Sequence, residues 1–217
     1  MKKKIDLSKI IEKYKQEFEI IKNKIKNPDN LINKIPMTLV KRAIRFFTGY
    51  WASNSVNDEL PIYLYSLVRN FKPQLVLESG TYIGYSTSFL AYALAKNKFG
   101  SLTTIDTASR SGQVIPKELK SNLLLLRNSS SIDVLRNYLK PSRICFFSDS
   151  VHTYDYVKGE LDLVLSYKLK KGSLILIHDA NVLGVRKAFF ESLGKEWGKQ
   201  IILFKNKPGL AIGVKIK

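Results

Sequence analysis

The chain has 217 residues, of which 45% are hydrophobic and 11% aromatic. That composition excludes a disordered polymer and suffices for one well-buried domain with an appendage. The formal charge of +18 admits nucleic acid, an anionic membrane surface or an acidic substrate as partners, but a lysine- and isoleucine-rich composition spread over the whole surface is the preferred account of it. Residues 1–57 hold 13 Lys+Arg against 5 Asp+Glu, and the rest 23 against 13. The excess is therefore denser at the N-terminus without forming one basic stripe interleaved with aromatics. No apolar run approaches the roughly 20 residues that cross a bilayer. The N-terminal lysines lack a following apolar h-region, so no signal peptide is expected. The single cysteine, Cys145, excludes an internal disulfide, and a cytoplasmic setting is expected.

Leu7, Ile11, Tyr14, Phe18, Ile21 and Ile25 recur in steps of four and three, the pattern of a helix with one apolar seam. Asp6 or Ser8 can cap it, and Asn27-Pro28-Asp29 should end it. The seam is too short for a free coiled coil, so it packs on the body of the protein or on a second copy, as a homodimer contact. Lys41 to Trp51 mix basic and aromatic side chains, as core at a domain junction or as a lid over a substrate. Residues 1–57 are read as an N-terminal helical extension and 58–217 as the main domain.

From Asp58 the pattern settles into alternation. A helix is expected over Glu59–Asn70, broken by Lys72-Pro73. A strand begins at Leu75, and Ser86 is expected to cap the helix that follows it. Strands are expected at Leu102–Ile105, Asn122–Arg127, Ile144–Phe147 and Ser173–Ile177, with helices over Tyr154–Leu169 and Gly184–Leu193. Gln200–Phe204 and Leu210–Ile216, joined by a turn at Lys205–Gly209, should form an antiparallel hairpin. Strands alternating with helices imply an α/β fold with a mostly parallel sheet covered on both faces.

The stretch Leu75 to Thr87 reads Leu-Val-Leu-Glu-Ser-Gly-Thr-Tyr-Ile-Gly-Tyr-Ser-Thr. It is a strand, a tight glycine turn and a helix start, the unit that binds nucleotide-like ligands at the carboxyl edge of a parallel sheet. The glycines let the backbone bend and leave room for a ligand. A dinucleotide fingerprint would read G-x-G-x-x-G; here the spacing is Gly80-x-x-x-Gly84 with Glu78 ahead. A carboxylate there repels a pyrophosphate and can accept from an ammonium group.

The segment resembles motif I of class I S-adenosylmethionine-dependent methyltransferases, and more narrowly that of catechol-type and bacterial small-molecule O-methyltransferases. Ser79 departs from that pattern, where an aliphatic residue is usual. The resemblance covers about residues 58–217 and implies a Rossmann-like sheet of seven strands. It also implies a cofactor site built from Glu78, Gly80, Thr81, Tyr82, Gly84, Ser86, Asp106, Ser131 and Asp149. Asp106, on the second strand, can accept from both ribose hydroxyls, and Ser131 stands at the adenine-side loop.

Asp149-Ser-Val-His-Thr-Tyr154 and Ile177-His-Asp-Ala-Asn181 carry the second part of the resemblance. In metal-dependent relatives, acids after the fourth and fifth strands hold a divalent cation. Asp149 and Asp179 fit that role, with Asn181 as a third ligand displaced by Ala180. Such oxygen ligands suit Mg²⁺ or another divalent cation, which lowers the pKa of an acceptor hydroxyl. His152 stands where the catechol type places a catalytic lysine. An imidazole titrating near neutrality can take the acceptor's proton, so Asp149 and His152 are the expected catalytic pair. His178 is either their partner or a packing residue. The expectation is a methyltransferase that uses S-adenosylmethionine to methylate a hydroxyl oxygen of a small molecule or glycan. The charge leaves an RNA methyltransferase as the alternative, although no Asn/Asp-Pro-Pro-aromatic tetrad is present and no proline follows Cys145.

Overall fold

The computed structural model describes residues 5–25, 59–140, 142–204 and 208–217. The expected helix stop at Asn27–Asp29, the Lys41–Trp51 segment, the boundary at residue 57 and most of the hairpin turn lie outside them. The described chain runs α1 (Leu7–Lys22), α2 (Leu60–Phe71), β1 (Leu75–Ser79), α3 (Tyr85–Asn97) and β2 (Ser101–Ile105). It continues with β3 (Leu123–Leu126), α4 (Ser131–Val134), β4 (Ile144–Ser148), α5 (Tyr154–Leu165), β5 (Leu174–Ile177), α6 (Leu183–Ser192), β6 (Trp197–Ile202) and β7 (Leu210–Lys215).

The seven strands form one sheet in the order β3-β2-β1-β4-β5-β7-β6. β1 to β5 pair in parallel, whereas β7 runs antiparallel to both β5 and β6. The direction of winding reverses between β1 and β4, and there the carboxyl ends of neighbouring strands part and leave a crevice. The seven-stranded, mostly parallel arrangement with its terminal hairpin is the one expected from the sequence.

Strand residues alternate between two apolar layers. Val76, Cys145, Phe147, Leu174 and Leu176 face one core, which α1, α2 and α3 cover. Leu75, Leu77, Ile144, Phe146, Ile175 and Ile177 face the other, covered by α5 and α6. Such two-sided burial explains why these strands read as continuous apolar runs.

α1 docks on the body of its own chain. Asp6 caps it by accepting from the Lys9 N–H (3.1 Å). Phe18, 2% exposed, stacks on Phe89 of α3 at 5.3 Å between centroids and tilts against Tyr65 of α2 at 6.1 Å. Arg69 of α2 grips Glu17 through Nε (2.6 Å) and Nη2 (3.2 Å), and the Tyr65 hydroxyl donates to the same carboxylate. The Arg69 guanidinium thereby holds the Glu17 carboxyl below its ordinary range, outweighing partial burial.

Several element ends differ from the sequence reading. α5 stops at Leu165, before Leu169, because Tyr167–Leu169 already turns toward β5. β6 starts at Trp197 rather than Gln200, since Trp197 is buried and pairs with Lys215. Asn122 belongs to a 3-10 turn, Lys117–Asn122, that leads into β3. Ser86 is not the cap of α3. Gly84 holds that position, in the left-handed region at φ 92°, with no side-chain cap bond.

Candidate active site

The glycine turn after β1 is shaped by its protein neighbours. Gly80 and Gly84 both sit at φ +92°, a conformation that a Cβ disfavours. A Cβ on Gly80 would overlap the Asp149 carbonyl oxygen, and one on Gly84 would run into the Ile115 side chain and lie 3.1 Å from Gly112 Cα. The expected bend is present, but the space freed by the missing side chains is filled by the chain itself. Further bonds lock the turn to its surroundings: Gly80 N donates to Ile105 O (2.9 Å), Asp149 N to Ser79 O (2.8 Å) and Gly112 N to Tyr82 O (2.8 Å). Thr81 meets Thr104 through their hydroxyls at 2.6 Å.

Glu78 was expected to face a ligand's ammonium. Instead it is wholly buried, and its two oxygens accept from the hydroxyls of Ser86 (2.6 Å) and Thr87 (2.5 Å) in the first turn of α3. The alternation of β1 directs residue 78 to the side covered by α3, while its neighbours point the other way. Burial pushes the Glu78 carboxyl up to about 7, against the pull of the Ser86, Thr87 and Thr104 hydroxyls. Ser86 thus serves as the donor that fixes Glu78.

Asp106, one residue past β2, does reach the carboxyl edge. Its Oδ2 accepts from Tyr82 N (2.6 Å) and its Oδ1 from Ala108 N (2.7 Å). It therefore joins the glycine turn to the β2–β3 connection, and each oxygen keeps a lone pair for a further donor. Tyr82, 40% exposed at φ 46°, stands at the rim.

Ser131 is buried and turned inward. Its hydroxyl donates to Glu160 and lies 3.0 Å from the Tyr156 hydroxyl. Glu160, on α5, also accepts from Ser79 (2.5 Å), Ser148 (2.6 Å) and Ser150 (3.3 Å). One fully buried carboxylate thus gathers the ends of β1 and β4 and the start of α4, and burial raises its pKa. The sequence reading missed Glu160. Its signal was an acid on the apolar stripe of α5, in register with Val157, Leu161 and Val164. Ser79, which breaks the aliphatic pattern of the motif, is explained by this partner.

The polar cluster lies at the ends of β4 and β5. One ligand-type atom from each of Asp149, His152, His178 and Asp179 falls within 4.8 Å of the others. His178 Nδ1 is 2.7 Å from Asp149 Oδ1, and His152 Nε2 is 3.5 Å from the same oxygen. His152 Nδ1 pairs with Asp179 Oδ2. Asp179 adopts φ 53°, a left-handed conformation uncommon for a residue with a side chain. Asn181, the expected third ligand, has its amide oxygen accepting from Gly209 N (3.3 Å), in the β6–β7 connection.

The electrostatics follow from this geometry. Burial pushes the Asp149 carboxyl up, but the rings of His178 and His152 outweigh it and hold Asp149 well below the carboxylate range. Hydrogen bonds to Asp149 and Asp179 push His152 up to about 10 against burial. Burial pulls His178 down, but Asp149 more than compensates, and the net shift is upward. His152 is therefore an imidazolium at neutral pH in this arrangement, not the near-neutral base expected from its ordinary pKa. His178 Nε2 is buried and has no hydrogen-bond partner among the described residues. Two imidazoles and two carboxylates suit a borderline transition cation better than the all-oxygen cage that Mg²⁺ favours.

Residues 77–180 match a family model described as a methyltransferase domain. Over that span, just under half of the chain, the sequence is similar to methyltransferase domains. The matched span runs from β1 through β5 and holds the glycine turn, Asp106, the Glu160 cage and the Asp–His cluster. Among solved structures, the domain is similar to the O-methyltransferase TomG of Streptomyces achromogenes in complex with SAM. The two share 20% identity over 90% of this chain and 98% of that one, with a TM-score of 0.63. It is also similar to an O-methyltransferase from Bacillus cereus in complex with SAH, at 14% identity over 89% and 99% of the chains and a TM-score of 0.63. An rRNA methylase from Streptococcus thermophilus shares 15% identity over 75% and 100%, with a TM-score of 0.55. At these identities the likeness is one of fold. No curated protein matches the sequence. Among the described residues, no helix is long and apolar enough to cross a membrane.

Proposed function

We propose that the domain transfers a methyl group from S-adenosylmethionine to a hydroxyl oxygen of a small molecule or glycan. The observation that carries this reading is the Asp149–His152–His178–Asp179 cluster, set beside the glycine turn where the sheet reverses. The similarity to O-methyltransferases that bind SAM or SAH supports it. The residues present fit such a cofactor. Asp106 retains lone pairs at the carboxyl edge, Thr81 and Tyr82 form the turn, and α3 begins with no side-chain cap on its N–H groups. When bound, the cofactor supplies an electrophilic methyl on a sulfonium. The chain's contribution is alignment and proton management.

The same cluster fits a divalent cation, with Asp149 and Asp179 as anionic ligands and His178 as a nitrogen donor. A cation there supplies positive charge that lowers the pKa of an acceptor hydroxyl. Asp149 and Asp179 are also what hold His152 protonated. With their charge engaged, the ring loses that pull and becomes available as a base. The buried, reduced Cys145 is in keeping with a cytosolic setting.

Calorimetry and turnover with a panel of hydroxylated acceptors test this reading. Asp149→Ala and His152→Ala should each bind S-adenosylmethionine within about threefold of the parent, while turnover falls at least about 100-fold. Unchanged turnover in both would sink the site assignment. Failure of the parent to bind the cofactor would sink the function.

A further inference from the structure

We infer that Glu160 is a positioning residue, whose buried carboxylate aligns the cofactor side of the crevice with Asp149 and His152. The inference deepens the methyl-transfer reading and rests on it. Glu160 belongs neither to the glycine turn nor to the Asp–His cluster, and it acts through the serines that it holds.

Three separate pieces of the carboxyl edge meet on this one side chain. Its Oε1 accepts from Ser79 (2.5 Å), Ser131 and Ser150 (3.3 Å), and its Oε2 from Ser148 (2.6 Å). Ser79 ends β1 and directly precedes Gly80, so that bond steadies the glycine turn. Ser131 opens α4. Ser148 and Ser150 flank Asp149, and the two bonds fix the backbone that carries it. Main-chain bonds join the same pieces: Asp149 N donates to Ser79 O (2.8 Å), and His178 N donates to Ser148 O (3.0 Å). Glu160 itself rides on α5, whose N-cap, Thr153, directly follows His152. A shift of α5 would carry His152 away from Asp149 and Asp179, and the carboxylate pins that helix to the ends of β1 and β4.

Stability does not call for an acid at this position. Val157, Leu161 and Val164 form the rest of the buried stripe, and a leucine would continue it. Taking a carboxylate out of water is costly, and apolar replacements of buried ionic groups are often neutral or stabilising. What an apolar side chain lacks is direction. A carboxylate offers about four acceptor sites, and here four serine hydroxyls converge on it. Such a junction removes the play that packing alone leaves between strand ends. Alignment of this kind matters to rate, because a misplacement of about 1 Å costs on the order of 100-fold.

Calorimetric titration of the full chain with S-adenosylmethionine, together with turnover on the acceptor panel, tests the assignment. Glu160→Leu should weaken cofactor binding at least about fivefold and lower turnover at least about 30-fold, with the melting temperature little changed. Glu160→Gln keeps one acceptor oxygen and presents an NH₂ that the Ser148 hydroxyl can accept, so it should recover most of both losses. Ser148→Ala should lower turnover at least about fivefold alone, but less than about twofold when Glu160 is already leucine. A residue that only held the fold would lower the melting temperature and leave the Kd and kcat of the folded protein unmoved. That outcome overturns the inference, as do Ser148→Ala and Glu160→Leu losses that add in full. Should Glu160→Leu fail to fold, Ser79→Ala and Ser148→Ala decide: each removes one donor to the shared carboxylate, and additive losses overturn the inference. A parent that binds no S-adenosylmethionine overturns the methyl-transfer reading and the inference with it. A parent that binds, with every variant within about twofold, overturns the inference alone.

Discussion

Replacing Glu78 by glutamine isolates the energetics of the motif acid. The side chain is fully buried, and its carboxyl is raised from 4.5 to about 7. A displacement of that size corresponds to about 3 kcal/mol of differential stability between the protonated and ionised forms. The folded-state value is raised, so the stabilisation is complete below about pH 4.5 and disappears as pH rises through about 7. Glutamine keeps the shape and an acceptor for Ser86 or Thr87 but never ionises. Urea unfolding of parent and Glu78→Gln at pH 5 and pH 8 gives two stability differences, in which the other titrating groups cancel. Between those conditions the variant should gain about 2–3 kcal/mol relative to the parent. A difference that stays constant would show that Glu78 ionises normally and that its hydroxyl partners offset burial in full.

Two further outcomes follow from packing. Gly80→Ala places a Cβ on the Asp149 carbonyl at a left-handed φ, and should lower stability by at least about 2 kcal/mol, which calorimetry reads as roughly 4–8 °C in Tm; a shift under about 1 °C would refute the described fit. Phe18→Ala should cost about 3–5 kcal/mol, and with Phe89→Ala the two losses should be non-additive; additive losses would mean the rings do not share a contact.

The periodic elements were legible because two-faced burial writes itself into Val-, Ile- and Leu-rich strands, and because Gly80 and Gly84 mark a turn that few other residues can make. Asp149 and Asp179 were legible through their place after β4 and β5. What escaped was the direction of side chains. Glu78 and Ser131 occupy the expected positions in the chain, yet alternation along β1 and the start of α4 turn both inward. Glu160 stands on the apolar stripe of α5, which marks an inward acid without naming its partners, and only the three-dimensional meeting of four serines gives it meaning. The pKa of His152 depends on two carboxylates, one of them 27 residues away in sequence, and no local pattern encodes it.

The docking of α1 has a consequence for the order in which the chain is made. Its apolar face is made before Phe89, against which Phe18 stacks and which lies 71 residues further along. At about 5–20 residues per second, the seam waits roughly 4–14 s for its partner. During synthesis α1 is therefore a sticky, unpaired surface that ribosome-bound chaperones have time to cover.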